Sequence, residues 1–262
     1  QWPSDHYNPA QLTSMSSIKI VDRYGDGDIL RVTNTPHDGK RKVWLDSNED
    51  YAEEYLDYPT YYSLETTGPA AGTGNKMVIT FDDGPDPTWT PQILAVLKEK
   101  NVPATFFVIG LNAEAFPNLV RRIYQEGHMV GNHTYSHPNV ATIGQTRTRW
   151  ELNSTQRLIE LNTGHATTLF RPPYNADSEP TTAEEVEPIW KAQQLFHYTM
   201  VGERIDPQDW RPGITTDEIV NEVLSEKDNG HVILLHDGGG DRSATLAALP
   251  MIIDRLRAAG YQ

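Results

Sequence analysis

Lys76-Met77-Val78-Ile79-Thr80-Phe81-Asp82-Asp83-Gly84-Pro85 is an apolar, β-branched run that ends on two carboxylates and a Gly-Pro stop. Such a run reads as a buried strand, and Gly84-Pro85 breaks it abruptly. Two adjacent carboxylates therefore stand where a buried strand opens into a loop. Paired negative charge is unfavourable there unless something positive, usually a metal ion, is bound beside it. Alone, these residues fit an acidic turn equally well, so the rest of the chain must decide.

From Lys76 onward, strands alternate with helices. The pattern predicts strands at 77–82, 104–110, 128–133, 167–171, 197–202 and 231–236. Helices are expected over Thr90–Lys100, Ala113–Glu126, Arg147–Leu161, Thr181–Gln194, Thr215–Ser225 and Ser243–Ala259, with Pro188 kinking or dividing the fourth. Repeated strand-helix units imply a parallel sheet with right-handed crossovers. Six units fall short of an eightfold barrel, so the fold class expected for residues 76–262 is α/β, an irregular, partly open (β/α) barrel. Residues 1–75 differ: short runs at 18–21, 29–32 and 42–45, separated by Gly/Asp/Asn turns, predict a small β-rich antiparallel subdomain, with Gly68–Gly74 as linker. Asp22, Asp26 and Asp28 match no helix-loop-helix calcium spacing and read as turn residues.

Composition narrows the partners. The 262 residues carry a formal net charge of −14 and no Lys/Arg cluster, which disfavours nucleic acid and anionic lipid. Mean hydropathy is −0.56, and no apolar run approaches a membrane span. There is no cysteine, so disulfide and thiolate chemistry are excluded. The chain lacks an initiator Met and stops just after a helix, at Ala258-Ala259-Gly260-Tyr261-Gln262, which reads as a piece of a longer protein.

The C-terminal ends of the predicted strands gather chemistry. They carry Asp82-Asp83, then Asn132-His133-Thr134-Tyr135-Ser136-His137-Pro138, then Arg171-Pro172-Pro173-Tyr174, then Asp206-Pro207-Gln208-Asp209-Trp210, and finally His236-Asp237. In parallel barrels these ends converge on one mouth, where reactions occur. His133 and His137 are four apart, so one helical turn, ended by Pro138, would set both imidazoles on one face. Two imidazoles and one carboxylate, with no thiolate, suit Zn²⁺ and leave a position for water. The second carboxylate can then accept a proton, and His236, on another strand, can donate one. A base, a Lewis acid and an acid around one mouth describe metal-assisted hydrolysis. The residues themselves leave open which of Asp82 and Asp83 is the base. Gly238-Gly239-Gly240 lacks the Lys-Ser/Thr of a phosphate loop and reads as a tight turn. His128, His165, His197 and His231 carry no functional claim.

At these residues the chain resembles the polysaccharide deacetylases, also called the NodB-homology domain or carbohydrate esterase family four, from about Lys76 to Tyr261. The resemblance implies Asp82 as general base and Asp83, His133 and His137 as ligands of a divalent metal, zinc in the first instance. It implies Arg171 orienting Asp82, the backbone N–H of Tyr174 facing the oxyanion, and His236 as general acid supported by Asp209, with Asp206 as the alternative support. Trp210 and Leu235 would line the pocket for the acetyl methyl group. Asn175 stands where many members have Gly. The runs 175–180 and 235–243, with the N-terminal β-region, resemble a subgroup fused to a membrane-bound family-two glycosyltransferase. The implied activity is removal of N-acetyl groups from N-acetylglucosamine units of a chitin-like, chitooligosaccharide or related cell-surface glycan. The implied location is the extracellular or periplasmic face of a bacterial-type cell, possible tethering coming through the fused domain; the oligomeric state is left open. The alternatives are an O-acetyl esterase acting on acetylated xylan and a non-catalytic carbohydrate-binding module.

Overall fold

The computed structural model describes residues 11–15, 21–45, 51–69, 74–174 and 183–262. The N-terminal strands are β1 (Gln11–Met15), β2 (Val21–Gly25), β3 (Ile29–Asn34), β4 (Gly39–Leu45), β5 (Tyr51–Asp57) and β6 (Tyr62–Thr67). The alternating region follows as β7 (Val78–Asp82), α1 (Thr90–Lys100), β8 (Thr105–Val108), α2 (Gly110–Ala115), α3 (Pro117–Gln125) and β9 (Met129–Asn132). It ends with α4 (Gln145–Thr163), β10 (Leu169–Phe170), α5 (Ala183–Phe196), β11 (Thr199–Val201), α6 (Thr216–Glu226), β12 (Val232–His236) and α7 (Ser243–Ala258).

Each predicted strand of the main body is present but shorter than expected: β7 and β12 lose only their first residue, whereas the last residues predicted for β8, β9, β10 and β11 also leave the ladder. The expected helix 113–126 is two helices. Pro117 opens α3, and Phe116 before it leaves helical geometry at φ −127° and ψ 57°. Pro188 does not divide α5, which runs unbroken from Ala183 to Phe196.

Nine of the described strands form one mixed sheet in the order β12-β7-β8-β9-β10-β11-β3-β6-β2. The stretch from β12 to β11 is parallel, as the strand-helix alternation requires. The barrel does not close by a ladder. After β11 the chain regains β12 only through a single bridge, Ile205 to Ile233. The N-terminal strands stand at that seam. β3 pairs antiparallel with β11, the Gly202 N–H donates to Asp28 O at 2.8 Å, and Asp28 Oδ2 accepts the His231 N–H at 3.1 Å. Asp26 pairs with Arg204 across the same seam.

These contacts change the reading of the N-terminal region. β3, β6 and β2 extend the main sheet, β2 and β6 run parallel, and only β1-β4-β5 is a separate antiparallel sheet. The runs 18–20 and 175–180 singled out in the sequence lie outside the described residues.

Alternation along β7 sorts its side chains by face. Ile79 and Phe81 join the apolar layer under the helices, with Leu94 and Leu97 of α1 and Ile252 and Ile253 of α7. Phe81 stacks on Phe106 with ring centroids 5.0 Å apart. Thr80 and Asp82 point to the other side, into the barrel, and are buried as well.

Candidate active site

Asp82 and His236 are register partners on adjacent parallel strands, which sets the acidic pair beside the histidine at one sheet edge. The Asp237 N–H donates to Asp82 O at 3.1 Å and extends the ladder one step past β12. The turn after β7 is tight: Asp83 is left-handed at φ 72°. Gly238 and Gly239 let the β12 end press on it, since a Cβ at Gly239 would lie 2.7 Å from Asp83 Oδ2.

His133 leaves β9, and its Nδ1 lies 2.7 Å from the Arg171 carbonyl oxygen. Donation from Nδ1–H leaves the Nε2 lone pair facing Asp83 Oδ1 at 3.5 Å. His137 Nε2 is 3.1 Å from the same oxygen. The two histidines do not share a helical turn. Thr134 and His137 both have positive φ, 68° and 58°, and the segment is an irregular loop, because the Thr134 Oγ1 accepts the His137 N–H where a helical bond would run. The imidazoles converge nonetheless.

Asp83, His133 and His137 offer one ligand atom each within 4.8 Å of one another. Asp83 Oδ1 is buried without a hydrogen-bond partner, although it faces both imidazoles. A buried acceptor left so and flanked by two imidazole nitrogens fits a divalent cation. Burial raises the Asp83 carboxyl, but the close imidazoles of His133 and His137 and the charges of His133 and His236 outweigh it and hold the group far below the usual carboxylate range. Burial lowers His133 in turn, and the Asp82 and Asp83 carboxylates reverse the shift upward.

Arg171, wholly buried, anchors Asp82. Its Nη1 donates to Asp82 Oδ1 at 3.0 Å and Thr80 Oγ1 at 2.8 Å, while Nε and Nη2 donate to the carbonyls of Val201 and Gly202. Its guanidinium carbon lies 4.5 Å over the Phe107 ring. Phe107 can occupy that place because Gly131 has no side chain: a Cβ there would fall 2.4 Å from the ring.

His236 Nδ1 is 2.6 Å from Asp209 Oδ1, so Asp209, not Asp206, supports the ring. Burial lowers the imidazole, but the Asp209 hydrogen bond and the charges of Asp209, Asp83 and Asp82 raise it to about 9. Tyr174 lies beside His137, ring centroids 5.0 Å apart, with φ 70°. Asn175 lies outside the described residues. Trp210 is half exposed next to Asp209.

Leu235 requires a correction. Strand alternation turns it away from His236 into the helix-side core, where it has no exposed surface; Leu234 is on the histidine's side.

Several residues of this site had been given no role of their own. Thr245 Oγ1 donates to Asp209 Oδ2 at 2.7 Å, and Arg242 ties Asp209 O to Gly238 O. Asp237, wholly buried and raised to about 7 by burial, accepts Thr90 Oγ1 at 2.5 Å and fixes the start of α1. Glu151, also wholly buried, lies against the His133–His137 loop. The legible signal for Glu151 was its place in the stripe Thr148, Leu152, Thr155, Ile159, the buried face of α4.

Comparison with known proteins agrees with this geometry. The family described as "Polysaccharide deacetylase" matches residues 70–187. A peptidoglycan-N-acetylglucosamine deacetylase of Bacillus cereus is 42% identical over 193 residues, covering 72% of this chain and 67% of that protein. A chitooligosaccharide deacetylase of Sinorhizobium fredii is 38% identical over 208 residues, 74% of this chain and 92% of that one. The crystal structure of the Bc1960 peptidoglycan N-acetylglucosamine deacetylase superposes with a TM-score of 0.65 at 40% identity, covering 73% of this chain and 87% of that one. With the Asp83-His133-His137 cluster, the Arg171–Asp82 pair and the Asp209–His236 pair all at one sheet edge, the chain belongs to the polysaccharide deacetylase family.

Proposed function

We propose that this protein is a metal-dependent hydrolase that removes acetyl groups from N-acetylglucosamine units of a glycan. One observation carries the reading: Asp82 and His236, register partners on adjacent strands, both stand beside the Asp83-His133-His137 cradle, each held by its own buried partner. A divalent cation in the cradle, zinc by its donor set, supplies Lewis acidity to the acetamide carbonyl and to the attacking water.

The residues divide the remaining work. Asp82 accepts the proton of the attacking water. Arg171 fixes the Asp82 carboxylate so that Oδ2 faces His133 and the cradle. The Tyr174 N–H donates to the oxyanion of the tetrahedral intermediate. His236, protonated, hands its proton to the departing nitrogen as the C–N bond breaks, giving a free amine and acetate. Trp210 offers its exposed indole to the acetyl methyl.

The relatives named above act on peptidoglycan and chitooligosaccharides, so both classes are the first substrates to test. Among the described residues no helix is long and apolar enough to cross a membrane. A glycan at the cell surface places the enzyme outside the cytoplasm in this reading. Fusion to a family-two glycosyltransferase rests on the likeness of 175–180, 235–243 and the N-terminal β-region, and the mass of the natural product tests it.

The decisive experiment measures acetate released from graded chitooligosaccharides, peptidoglycan and acetylated xylan, with chelator and with added Zn²⁺. Zn²⁺-dependent release from an N-acetylated glycan is expected. Release from xylan esters alone would move the activity to O-acetyl bonds, and glycan binding without any release would leave a carbohydrate-binding module.

A further inference from the structure

Between His133 and His137 the backbone follows a path that amino acids other than glycine rarely adopt. Thr134 and His137 are both left-handed, and neither helix nor ladder spans the segment. Such a path persists only where its surroundings over-determine it. The donors of the loop identify what does so. The His133 N–H reaches Val108 O at 3.1 Å, the Thr134 N–H reaches Asn132 Oδ1 at 2.9 Å, and the His137 N–H reaches Thr134 Oγ1 at 3.2 Å. The two central donors, the N–H groups of Tyr135 and Ser136, both go to Glu151 Oε2, at 2.9 and 2.8 Å.

The other Glu151 oxygen is equally engaged. Oε1 accepts the Ser136 hydroxyl at 2.8 Å and Arg147 Nε at 2.7 Å. The carboxylate has no exposed surface, and its charge is balanced by Arg147 one turn earlier on α4 and by the two amides. A carboxylate is acceptor-only on both oxygens, so it can take two backbone amides on one side and a hydroxyl and a guanidinium on the other. Glutamine cannot, because its NH₂ would face two donors.

We infer that Glu151 is a positioning residue of the metal cradle: by holding Tyr135 and Ser136 it sets the spacing and aim of the His133 and His137 imidazoles. Lys191 pins the far end of the same loop, donating to the carbonyls of Val140 at 3.0 Å and Ile143 at 2.7 Å. Between the two histidines the N–H groups of Gly110 and Leu111 donate to the Thr134 and Tyr135 carbonyls, at 2.9 Å each, and Glu151 is the side chain that takes the Tyr135 and Ser136 N–H groups. The inference rests on the reading of Asp83, His133 and His137 as ligands.

The test compares the wild-type chain with Glu151→Gln and Glu151→Asp, using Arg149→Ala on the exposed side of α4 as a control. Zn²⁺ affinity is measured by competition with a chromophoric chelator, and the visible spectrum is recorded with Co²⁺. Loss of an outer-shell partner of this kind typically weakens metal binding by about 10–100-fold, and that loss is expected for Glu151→Gln, with an altered Co²⁺ spectrum. Excess Zn²⁺ is expected to restore much of kcat with KM for the glycan unchanged. A purely structural role would lower the unfolding midpoint and leave the affinity of the folded protein alone.

If Glu151→Gln does not fold, Glu151→Asp carries the same measurement, since it keeps the charge and withdraws the oxygens by one methylene. Zn²⁺ affinity within about twofold of wild type and an unchanged Co²⁺ spectrum in the folded variant would overturn the inference. A wild-type chain that binds neither ion would instead overturn the ligand reading beneath it.

Discussion

Asp209 holds His236 at two points: Oδ1 lies 2.6 Å from the ring Nδ1, and Oδ2 accepts the His236 backbone N–H at 3.0 Å. Ring and strand end therefore cannot turn independently, and Nε2 is left to face the mouth. Asp209 is itself buried and held by the Thr245 hydroxyl and by Arg242. A histidine bonded this way is oriented and kept basic, which a proton donor to a departing amine requires.

The first prediction follows from the sign of that shift. The folded imidazole is raised to about 9, above its ordinary 6.5. The protonated form, the acid of the proposed reaction, is thus present below about 9 and lost as pH rises through it. Cation binding shares the Asp83 charge and brings the limb of the loaded enzyme somewhat lower. In Asp209→Asn the alkaline limb of kcat is expected to move toward 6.5, with kcat reduced even on the acid side. The same shift stabilises the fold fully below the unfolded pKa and ever less toward 9. A kcat–pH profile unmoved by Asp209→Asn would contradict the assignment.

Removing either proton carrier is expected to halt turnover without unfolding the chain. Asp82→Asn and His236→Ala should each lower kcat by at least about a hundredfold, the lower end for a positioned base or acid. Zn²⁺ binding should survive in both, because neither side chain belongs to the ligand triad. Steady-state kinetics beside a Zn²⁺ titration check this. Wild-type kcat in either variant would remove that residue from the mechanism.

Arg171 joins two requirements, since it both orients Asp82 and compensates its buried charge. Arg171→Met strips the guanidinium from a buried carboxylate and is expected to destabilise the fold by about 3–5 kcal/mol. Arg171→Lys should rescue little. One ammonium cannot span Thr80 and Asp82 on one side and the Val201 and Gly202 carbonyls on the other. Urea unfolding of both variants decides, and a loss below about 1 kcal/mol for Arg171→Met would mean that Asp82 does not depend on it.

How much of this was legible in sequence depends on where each residue stands. The buried strands announced themselves by apolar runs, so the C-terminal edge was predictable, and with it the meeting of Asp82, Asp83, His133, His137 and His236. Local geometry was less so. The spacing of His133 and His137 suggested a helical turn, whereas the loop is shaped by Glu151, fourteen residues beyond His137 and on another element. Leu235 was assigned to the pocket by the family resemblance, but a period of two turns neighbouring strand residues to opposite faces and puts it on the side away from His236. The N-terminal strands read as a separate unit because no local pattern reveals that β3 pairs with β11, a partner about 170 residues away.

Gly131 offers the last test, because it links a missing side chain to Asp82, the proposed base, through two intermediates. A Cβ at this position would sit 2.4 and 2.5 Å from Phe107 Cδ1 and Cε1. Phe107 is wholly buried and cannot swing to solvent, so Gly131→Ala must push the ring against the Arg171 guanidinium above it. Overpacking of this kind destabilises by about 1–3 kcal/mol. The displaced Arg171 no longer fixes Asp82, so kcat is expected to fall while KM changes little. Phe107→Leu gives the new methyl room, and the double variant should be more stable than the sum of the singles by about 1 kcal/mol or more, a coupling typical of residues in contact. Additive losses in that cycle, or a Gly131→Ala protein within about 0.5 kcal/mol of wild type, would show that the ring does not transmit the strain.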